Sequence, residues 1–149
     1  IMQLVADGTV SMAGTYSGNG IAVSAANATL DVLMTSGIYD GLFARSERLM
    51  FGIRDRMNAA GLAIRVVGIG PLFQVWFTDS PIRNYREAVH YARKDRFRIW
   101  WEEMMKQGVL FHPDPFENLF VSFAHDDSDV ERTLKAVENA LPEVKRRMR

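Results

Sequence analysis

Ile64-Arg-Val-Val-Gly-Ile69 is followed by Gly70-Pro71 and then by Leu72-Phe-Gln-Val-Trp-Phe77. Both six-residue runs are rich in β-branched and aromatic residues, which favour strands. The Gly-Pro pair between them is typical of a turn. The sequence therefore predicts two consecutive strands joined at Gly70-Pro71.

Helices are predicted on both sides of these strands. Before them, apolar residues recur on one face of a segment from about Tyr39 to Ala60, and Gly61 follows where a left-handed cap is expected. After them, three- to four-residue spacing predicts one long helix from about Tyr85 to Gln107, capped by Gly108. We expect at least one residue of its Trp100-Trp101 pair to be buried. The residues of the first apolar face are Leu42, Leu49, Ile53 and Met57.

The last third of the chain predicts two short strands and a final helix. Val109–His112 and Leu119–Ala124 have strand character, and Pro113-Asp-Pro115 forces an irregular loop between them. Ser128-Asp-Val-Glu131 matches a capping box at a helix start, and Pro142 is expected to kink or shorten that helix.

Two strand pairs flanked by helices predict an α+β fold, with one small antiparallel or mixed sheet covered by helices. We expect this domain to cover residues 37–149. Residues 1–36 differ in character. We expect them to be an attachment to something else, and the start at Ile1 indicates a removed leader or a piece of a longer chain.

Residues 1–20 read as a glycine-rich loop, and Ile21–Met34 has a helix pattern that is apolar almost all the way round. Such a helix needs cover on several sides, from its own domain or from a partner. In the loop, Gly14-Thr15-Tyr16-Ser17-Gly18-Asn19-Gly20 places backbone amides and hydroxyls just before the helix, as a phosphate cradle would. The loop fits neither the P-loop nor the dinucleotide fingerprint. The residues alone favour the simpler interpretation, a helix-entry turn capped by Asn19.

Composition excludes several classes of protein. The 149 residues carry 18 Lys+Arg against 18 Asp+Glu, no cysteine and 48% hydrophobic residues. That balance excludes a disordered chain, disulfides and thiolate catalysis, and it gives no general attraction to nucleic acid. No apolar run approaches the ~18 residues of a membrane span. We expect a cytoplasmic protein with neither nucleic acid nor a membrane as partner. His90, His112 and His125 lack metal-binding spacing, so no metal site is predicted.

A family resemblance adds to this interpretation. Ala13-Gly-Thr-Tyr-Ser-Gly-Asn19, followed by an alanine-rich helix, resembles the Gly-Thr-x-Ser-Gly-Asn motif of class III pyridoxal-phosphate aminotransferases. Further matches follow in order along essentially the whole chain. They are Val67-Gly68, Asn84-Tyr85-x-x-Ala88, Asp95, Gly108-Val109, Pro113, Phe116-Glu117, Phe120-Val-Ser-x-Ala-His125, Asp129 and Thr133-Leu134.

The resemblance implies a fold-type I enzyme of which this chain is the C-terminal part, working as a homodimer with pyridoxal 5'-phosphate. Residues 1–36 would then end its large cofactor domain, with a loop and helix at the dimer interface, and residues 37–149 would form its small α+β domain. Thr15 would hydrogen-bond the cofactor phosphate of the neighbouring subunit, and Gly14 would donate its amide. Glu117 would line the pocket for a small amino-acid-like substrate, as in the aminomutase branch. No arginine lies between Pro113 and Val121, which favours that branch over ornithine- and aminobutyrate-type members. Gly20 departs from the proline usual there, so the helix entry is expected to differ.

No catalytic residue is predicted in this chain. Pyridoxal-phosphate chemistry needs a lysine and an acidic partner for the ring nitrogen, and the family carries both upstream of the glycine motif. The family's lysine is matched by none of the four lysines of this chain, which are Lys94, Lys106, Lys135 and Lys145. We therefore expect the chain alone to be inactive, as one wall of an active site. The alternative is a stand-alone α+β interaction module that kept the scaffold and lost catalysis.

Overall fold

A computed structural model describes residues 2–149, which form six helices and three strands. The described chain divides into two compact units, the first ending at Ile38 and the second covering Tyr39–Arg149. That the first unit completes a larger cofactor domain stays a prediction. In chain order the elements are α1 (Met2–Ala6), α2 (Gly20–Leu33), α3 (Ile38–Ala59), β1 (Arg65–Ile69), β2 (Leu72–Trp76), α4 (Tyr85–Tyr91), α5 (Lys94–Lys106), β3 (Leu119–Phe120) and α6 (Asp127–Arg147).

The sheet of the second unit is antiparallel, in the order β1-β2-β3. Ile69 pairs with Leu72 across the turn, where Gly70 takes a positive φ of 52° that suits glycine. Phe73 of the central strand pairs with Leu119 of β3. The two strands predicted around Gly70-Pro71 and the small α+β fold are both confirmed.

One face of the sheet packs against α3, α5 and α6. Phe73, Val75 and Phe77 point to this side and belong to the main apolar core. From α3 and α5 the core takes Ile53, Met57, Phe97, Trp100 and Met104, and from α6 it takes Val130, Leu134, Val137, Ala140 and Val144.

Helices α3 and α6 approach each other closely. A Cβ built on Gly52 of α3 would lie 2.5 Å from Cδ2 of Leu134 in α6. The absence of a side chain at Gly52 therefore lets Leu134 pack directly over the backbone of α3. The predicted apolar face of α3 is confirmed as the buried one, since Leu42, Ile53 and Met57 are buried and Leu49 packs against the core.

A buried carboxylate ties α5 to the end of α6. Glu103 is only 4% exposed, and it accepts hydrogen bonds from Lys106 Nζ at 2.7 Å and Arg147 Nη1 at 2.6 Å. Arg147 also donates to Glu102 at 2.6 Å. The bond from Lys106, followed by that from Arg147, holds the pKa of Glu103 below its ordinary value. The basic end of α6 thus fixes this helix on α5.

The long helix predicted from Tyr85 to Gln107 is wrong as a single element. Ala92 takes an extended conformation (φ −64°, ψ 126°), and α4 and α5 lie on either side of it. The two helices meet different environments, because Phe97 and Trp100 of α5 enter the main core whereas Ala88 of α4 lines a cavity beside Trp76. The expectation that at least one of the two adjacent tryptophans is buried is confirmed, since Trp100 is 1% exposed.

The strand predicted at Val109–His112 does not form. The Val109 amide donates to Met104 O, which closes the end of α5, and Trp101 Nε1 donates to Phe111 O at 2.7 Å. Side-chain and helix-end contacts thus replace strand pairing here. The strand predicted at Leu119–Ala124 is shortened to Leu119–Phe120, after which the Val121 amide donates to Pro71 O.

Three smaller expectations also need correction. Met2–Ala6 is a short helix within the segment predicted as loop. The capping box of α6 uses Asp126 and Asp129 rather than Ser128 and Glu131, because the two aspartates accept each other's backbone amides. Pro142 does not shorten α6, which continues to Arg147 with Val144 fully buried beyond it.

Within the described residues, no single helix is long and apolar enough to cross a membrane. Taken together, α2 and α3 meet the limits of length and composition.

The close pairing of β1 with β2 predicts a strong effect of one methyl group at Gly68. A Cβ there would lie 2.4 Å from both Leu72 O and Phe73 Cβ. We expect Gly68→Ala to lower the free energy of unfolding by about 1–3 kcal/mol, since the backbone must move. Urea denaturation measures this. Gly41→Ala is the control, because its Cβ would only approach the flexible end of Arg45 at 3.6 Å. Equal stability of the two variants would contradict the packing described for the sheet.

Candidate functional site

The predicted phosphate loop consists of two consecutive turns that lead into α2. The Ser17 amide donates to Gly14 O at 2.9 Å, and the Asn19 amide donates to Tyr16 O at 3.1 Å. Gly18 has a positive φ of 75°, which favours glycine at that position. Asn19 Oδ1 then accepts the Ala22 amide at 3.0 Å, so the helix-entry turn capped by Asn19 is confirmed.

Capping by Asn19 leaves most donors of this loop free. Within residues 2–149, the Thr15 hydroxyl and the amides of Gly14, Thr15 and Gly18 make no hydrogen bond. A Cβ on Gly14 would lie 2.9 Å from Ser17 Oγ, a contact that rotation of the exposed Ser17 side chain would relieve. Unpaired amides and a hydroxyl beside a helix start are the groups that bind a phosphate. The loop therefore fits a phosphate group, although its contact with one stays a prediction.

The loop and the helix behind it are open to solvent within the first unit. None of the residues of α2 is buried, and Ile21 and Leu30 are 84% and 54% exposed. A helix this apolar is normally covered. The residues of the first unit give α2 no such cover.

The second predicted site residue, Glu117, lies in the second unit on the loop before β3. Its amide donates to Asp114 O at 3.1 Å, and Asp114 Oδ1 accepts the Phe116 amide at 3.0 Å. The carboxylate of Glu117 is exposed and makes no hydrogen bond or ion pair within the described residues. The backbone is thus fixed by local bonds while the carboxylate stays available to a ligand.

A buried carboxamide holds this loop on the sheet. Gln74 of β2 is 3% exposed, and its Nε2 donates to Pro115 O at 2.5 Å and to Glu117 O at 2.6 Å. Its Oε1 accepts the Val75 amide at 2.8 Å. Two of these bonds are buried and the one to Glu117 O is partly buried, so Gln74 fixes the backbone from which Glu117 projects.

The Phe116 ring gives the loop a second attachment. It packs edge-on against Trp76 at 5.4 Å and Tyr85 at 5.6 Å between ring centroids. Lys94 Nζ lies 4.7 Å from the ring centroid, a cation–π contact that also places the ammonium group near Asp114. A cavity of about 290 Å³ lies beside this contact, lined by Gln74, Trp76, Arg83, Asn84, Tyr85 and Asn118 among others.

The positioning residue Gln74 is absent from the residues that sequence reasoning selects. The sequence did contain a signal for it, because a glutamine in the middle of Leu72-Phe-Gln-Val-Trp-Phe77 must find hydrogen-bond partners for its side-chain amide if the strand is buried. Which backbone it would hold depends on a loop more than 40 residues further on.

Gly14 and Thr15 lie together in the first unit, whereas Glu117 belongs to the second. Within residues 2–149, no three histidine or acidic side chains form a metal-binding cluster.

Comparison with known proteins gives consistent relatives. No family model matches the chain. It is 34% identical over 145 residues to the glutamate-1-semialdehyde 2,1-aminomutase of Syntrophobacter fumaroxidans, which is 97% of this chain and 33% of the relative. Identity to the Bordetella avium enzyme of the same name is 39% over 133 residues, covering 89% of this chain and 31% of the relative. The chain spans about a third of the length of these curated relatives.

Solved structures agree with the sequence relatives. The glutamate-1-semialdehyde-aminomutase of Pseudomonas aeruginosa matches with a TM-score of 0.76 at 25% identity, over 90% of this chain and 29% of that one. The FumI protein of Sphingopyxis sp., solved as its PLP internal aldimine form, matches with a TM-score of 0.71 at 26% identity, over 92% and 30% of the two chains.

Sequence and fold together make this chain a relative of the class III pyridoxal-phosphate-dependent aminotransferases, which is the class that its motifs predict. Within that class, it is homologous to about one third of the glutamate-1-semialdehyde 2,1-aminomutases. The predicted resemblance to glutamate-1-semialdehyde 2,1-aminomutases is therefore confirmed.

The contacts of Gln74 predict that its loss frees the loop of Glu117. In Gln74→Leu, the carbonyls of Pro115 and Glu117 lose their donor. We expect hydrogen exchange of residues 114–118 to accelerate roughly 5- to 30-fold, as for a loss of about 1–2 kcal/mol. Gln107→Leu is the matched control, because Gln107 is exposed and its side chain only accepts one hydrogen bond, from Asn139. Unchanged exchange in Gln74→Leu would show that the loop is held by other contacts.

Proposed function

We propose that this chain is the C-terminal part of a pyridoxal-phosphate-dependent aminotransferase or aminomutase, of the glutamate-1-semialdehyde aminomutase kind. The complete protein would move an amino group between carbon centres. The observation that carries the proposal is similarity to such enzymes over nearly the whole chain, in sequence and in fold. No observation favours the alternative of a non-catalytic interaction module.

The first unit would contribute to cofactor binding. Thr15 would donate its hydroxyl, and Gly14 and Thr15 their amides, to the phosphate of pyridoxal phosphate held by the neighbouring subunit of a homodimer. The free donors of the loop support this role. When bound, the cofactor supplies an electron sink for the carbon that carries the amino group. The homodimer is part of the proposal, as is residence in the cytoplasm.

The second unit would contribute to substrate binding through Glu117. An exposed carboxylate on a loop fixed by Gln74 can accept hydrogen bonds from the ammonium group of a small amino-acid-like substrate. No arginine lies between Pro113 and Val121. A substrate carboxylate would therefore be bound by residues outside this loop.

The lysine required by the chemistry would lie elsewhere in the complete protein. Lys106 and Lys135 pair with Glu103 and Glu138 at 2.7 and 3.0 Å. Lys94 lies over the Phe116 ring and near Asp114. Engaged and exposed lysines of this kind lack the desolvated surroundings that activate a nucleophilic amine. This chain by itself would then be inactive.

Thr15 is predicted to strengthen cofactor binding in the full-length enzyme. We expect Thr15→Val to weaken pyridoxal-phosphate affinity by roughly 10- to 100-fold, since a hydrogen bond to a charged group is lost. Equilibrium dialysis of the apoenzyme against pyridoxal phosphate measures this. Thr35→Val is the control, because the Thr35 hydroxyl donates only to Asp31 O. Equal affinities in the two variants would remove Thr15 from the phosphate site.

Glu117 is predicted to act on substrate rather than on cofactor. We expect Glu117→Gln to lower kcat/KM for glutamate-1-semialdehyde by about 10- to 100-fold while cofactor affinity is unchanged. Steady-state kinetics of the full-length enzyme give this value. Glu47→Gln, at an exposed position of α3, is the matched control. A loss of cofactor affinity in Glu117→Gln would contradict the substrate-side role.

The lysine proposal has its own test. We expect borohydride reduction of the full-length protein with pyridoxal phosphate to label a lysine outside this chain, because the four lysines here are exposed at helix surfaces. Peptide mass spectrometry locates the label. Stoichiometric labelling of Lys94, Lys106, Lys135 or Lys145 would overturn the division of labour proposed here.

A further inference from the structure

The loop that carries Glu117 is organised around Asp114. The carbonyl of Asp114 accepts the Glu117 amide at 3.1 Å, and its Oδ1 accepts the Phe116 amide at 3.0 Å. Its own amide donates to Nδ1 of His112 at 3.1 Å. Because two of these bonds link Asp114 to the residues that follow it, a shift of Asp114 moves the backbone from which Glu117 projects.

The bond from the Asp114 amide requires the neutral form of the His112 ring. A ring nitrogen that accepts an amide carries no proton, so the proton of the neutral imidazole lies on Nε2. A protonated imidazole has two donors and no acceptor, and it would leave the Asp114 amide without a partner. Histidine side chains change between these forms between about pH 5 and pH 8. The side chain of His112 is exposed, so water can deliver the proton.

The contacts of Gln74 and Phe116 with this loop do not respond to a proton in that range. Gln74 holds the carbonyls of Pro115 and Glu117 with a carboxamide, and the Phe116 ring packs on aromatic rings. Neither a carboxamide nor a phenyl ring takes up a proton there. The bond to His112 thus adds a pH-dependent attachment to attachments that are independent of pH.

The titratable groups around His112 come from the loop, from α5 and from the chain around the start of α6. Asp114 contributes its carboxylate, and Lys94 Nζ of α5 lies 3.9 Å from Asp114 Oδ1. His112 also lines a cavity of about 300 Å³ whose wall includes His125 and Asp129. Within the described residues, the Asp114 amide is the only hydrogen-bond partner of the His112 side chain.

We propose, on the basis of the function proposed above, that neutral His112 is a positioning residue for Glu117 and that its protonation weakens substrate binding. The neutral ring holds the amide of Asp114, and Asp114 in turn holds the amide of Glu117. Protonation releases Asp114, so the Glu117 carboxylate samples more positions and loses part of its affinity for substrate. The contribution of His112 is therefore present at the alkaline end of the histidine range and is lost toward the acidic end.

Asparagine and leucine at position 112 form a matched pair of similar shape. An asparagine side chain accepts the amide two residues further on, as in an Asx-turn, and it does not titrate. His112→Asn therefore keeps the bond at every pH, whereas His112→Leu lacks it at every pH. In the full-length enzyme we expect His112→Leu to lower kcat/KM for glutamate-1-semialdehyde about 3- to 10-fold relative to His112→Asn. The affinity for pyridoxal phosphate should be equal in the two variants.

The wild type should change from the behaviour of one variant to that of the other as the pH falls. At about pH 8 its kcat/KM should equal that of His112→Asn, and toward about pH 5 it should approach that of His112→Leu. The ratio to His112→Asn is taken at each pH, so that titration of substrate, cofactor and other residues cancels. His90→Asn is the control and should keep the wild-type profile, because the exposed His90 ring contacts Tyr91 and makes no hydrogen bond within the described residues.

Hydrogen exchange of residues 113–118 gives a second measurement, which does not depend on substrate. After millisecond labelling and mass spectrometry, wild-type exchange relative to His112→Asn should rise about 3- to 10-fold as the pH falls through the histidine range. An exchange ratio that does not change with pH would overturn the inference. Equal kcat/KM in His112→Asn and His112→Leu, where Glu117→Gln does lower it, would also overturn it. No effect of Glu117→Gln on kcat/KM would instead contradict the proposed function, and the role of His112 in substrate binding with it.

Discussion

Burial of strand β2 on both faces is the constraint that arranges the second unit. Phe73 and Val75 require an apolar cover, and α3, α5 and α6 provide it. Gln74 and Trp76 lie on the opposite face, where an apolar cover alone would leave the carboxamide unsatisfied. The loop before β3 meets both needs, because its carbonyls accept the Gln74 amide and its Phe116 ring packs on Trp76.

The position of Glu117 follows from this satisfaction of a buried amide. A loop that carries a functional carboxylate must be exposed, and exposed loops are usually mobile. Gln74 offsets that mobility, since one of its two bonds to the loop is buried and the other is partly buried, and hydrogen bonds shielded from water are stronger. The side chain of Glu117 thus gains a defined origin without being buried itself. In this unit, a polar residue of the fold determines the geometry of a candidate binding residue.

Local sequence patterns predicted the elements that depend on local causes. The strands on either side of Gly70-Pro71, helix α3 and the capped turn at Asn19 follow from β-branching, periodicity and capping. The break at Ala92 could not be predicted, because no glycine or proline marks it. It results from two environments that exist only in the folded unit. The coil at residues 109–112 has the same kind of cause, since Trp101 takes the Phe111 carbonyl. Among the site residues, the family resemblance identified Gly14, Thr15 and Glu117, whereas Gln74 could be identified only from the fold.

The exposure of α2 has a thermodynamic consequence for the loop that precedes it. A helix of 14 residues with no buried side chain has little to hold it in water, since most helices depend on tertiary packing. Asn19 links the loop directly to the first turn of this helix. A surface that covered α2 would therefore also stabilise the loop. Binding of such a surface to α2 and ordering of the loop as an anion site would be thermodynamically coupled. Each would favour the other by the same free energy.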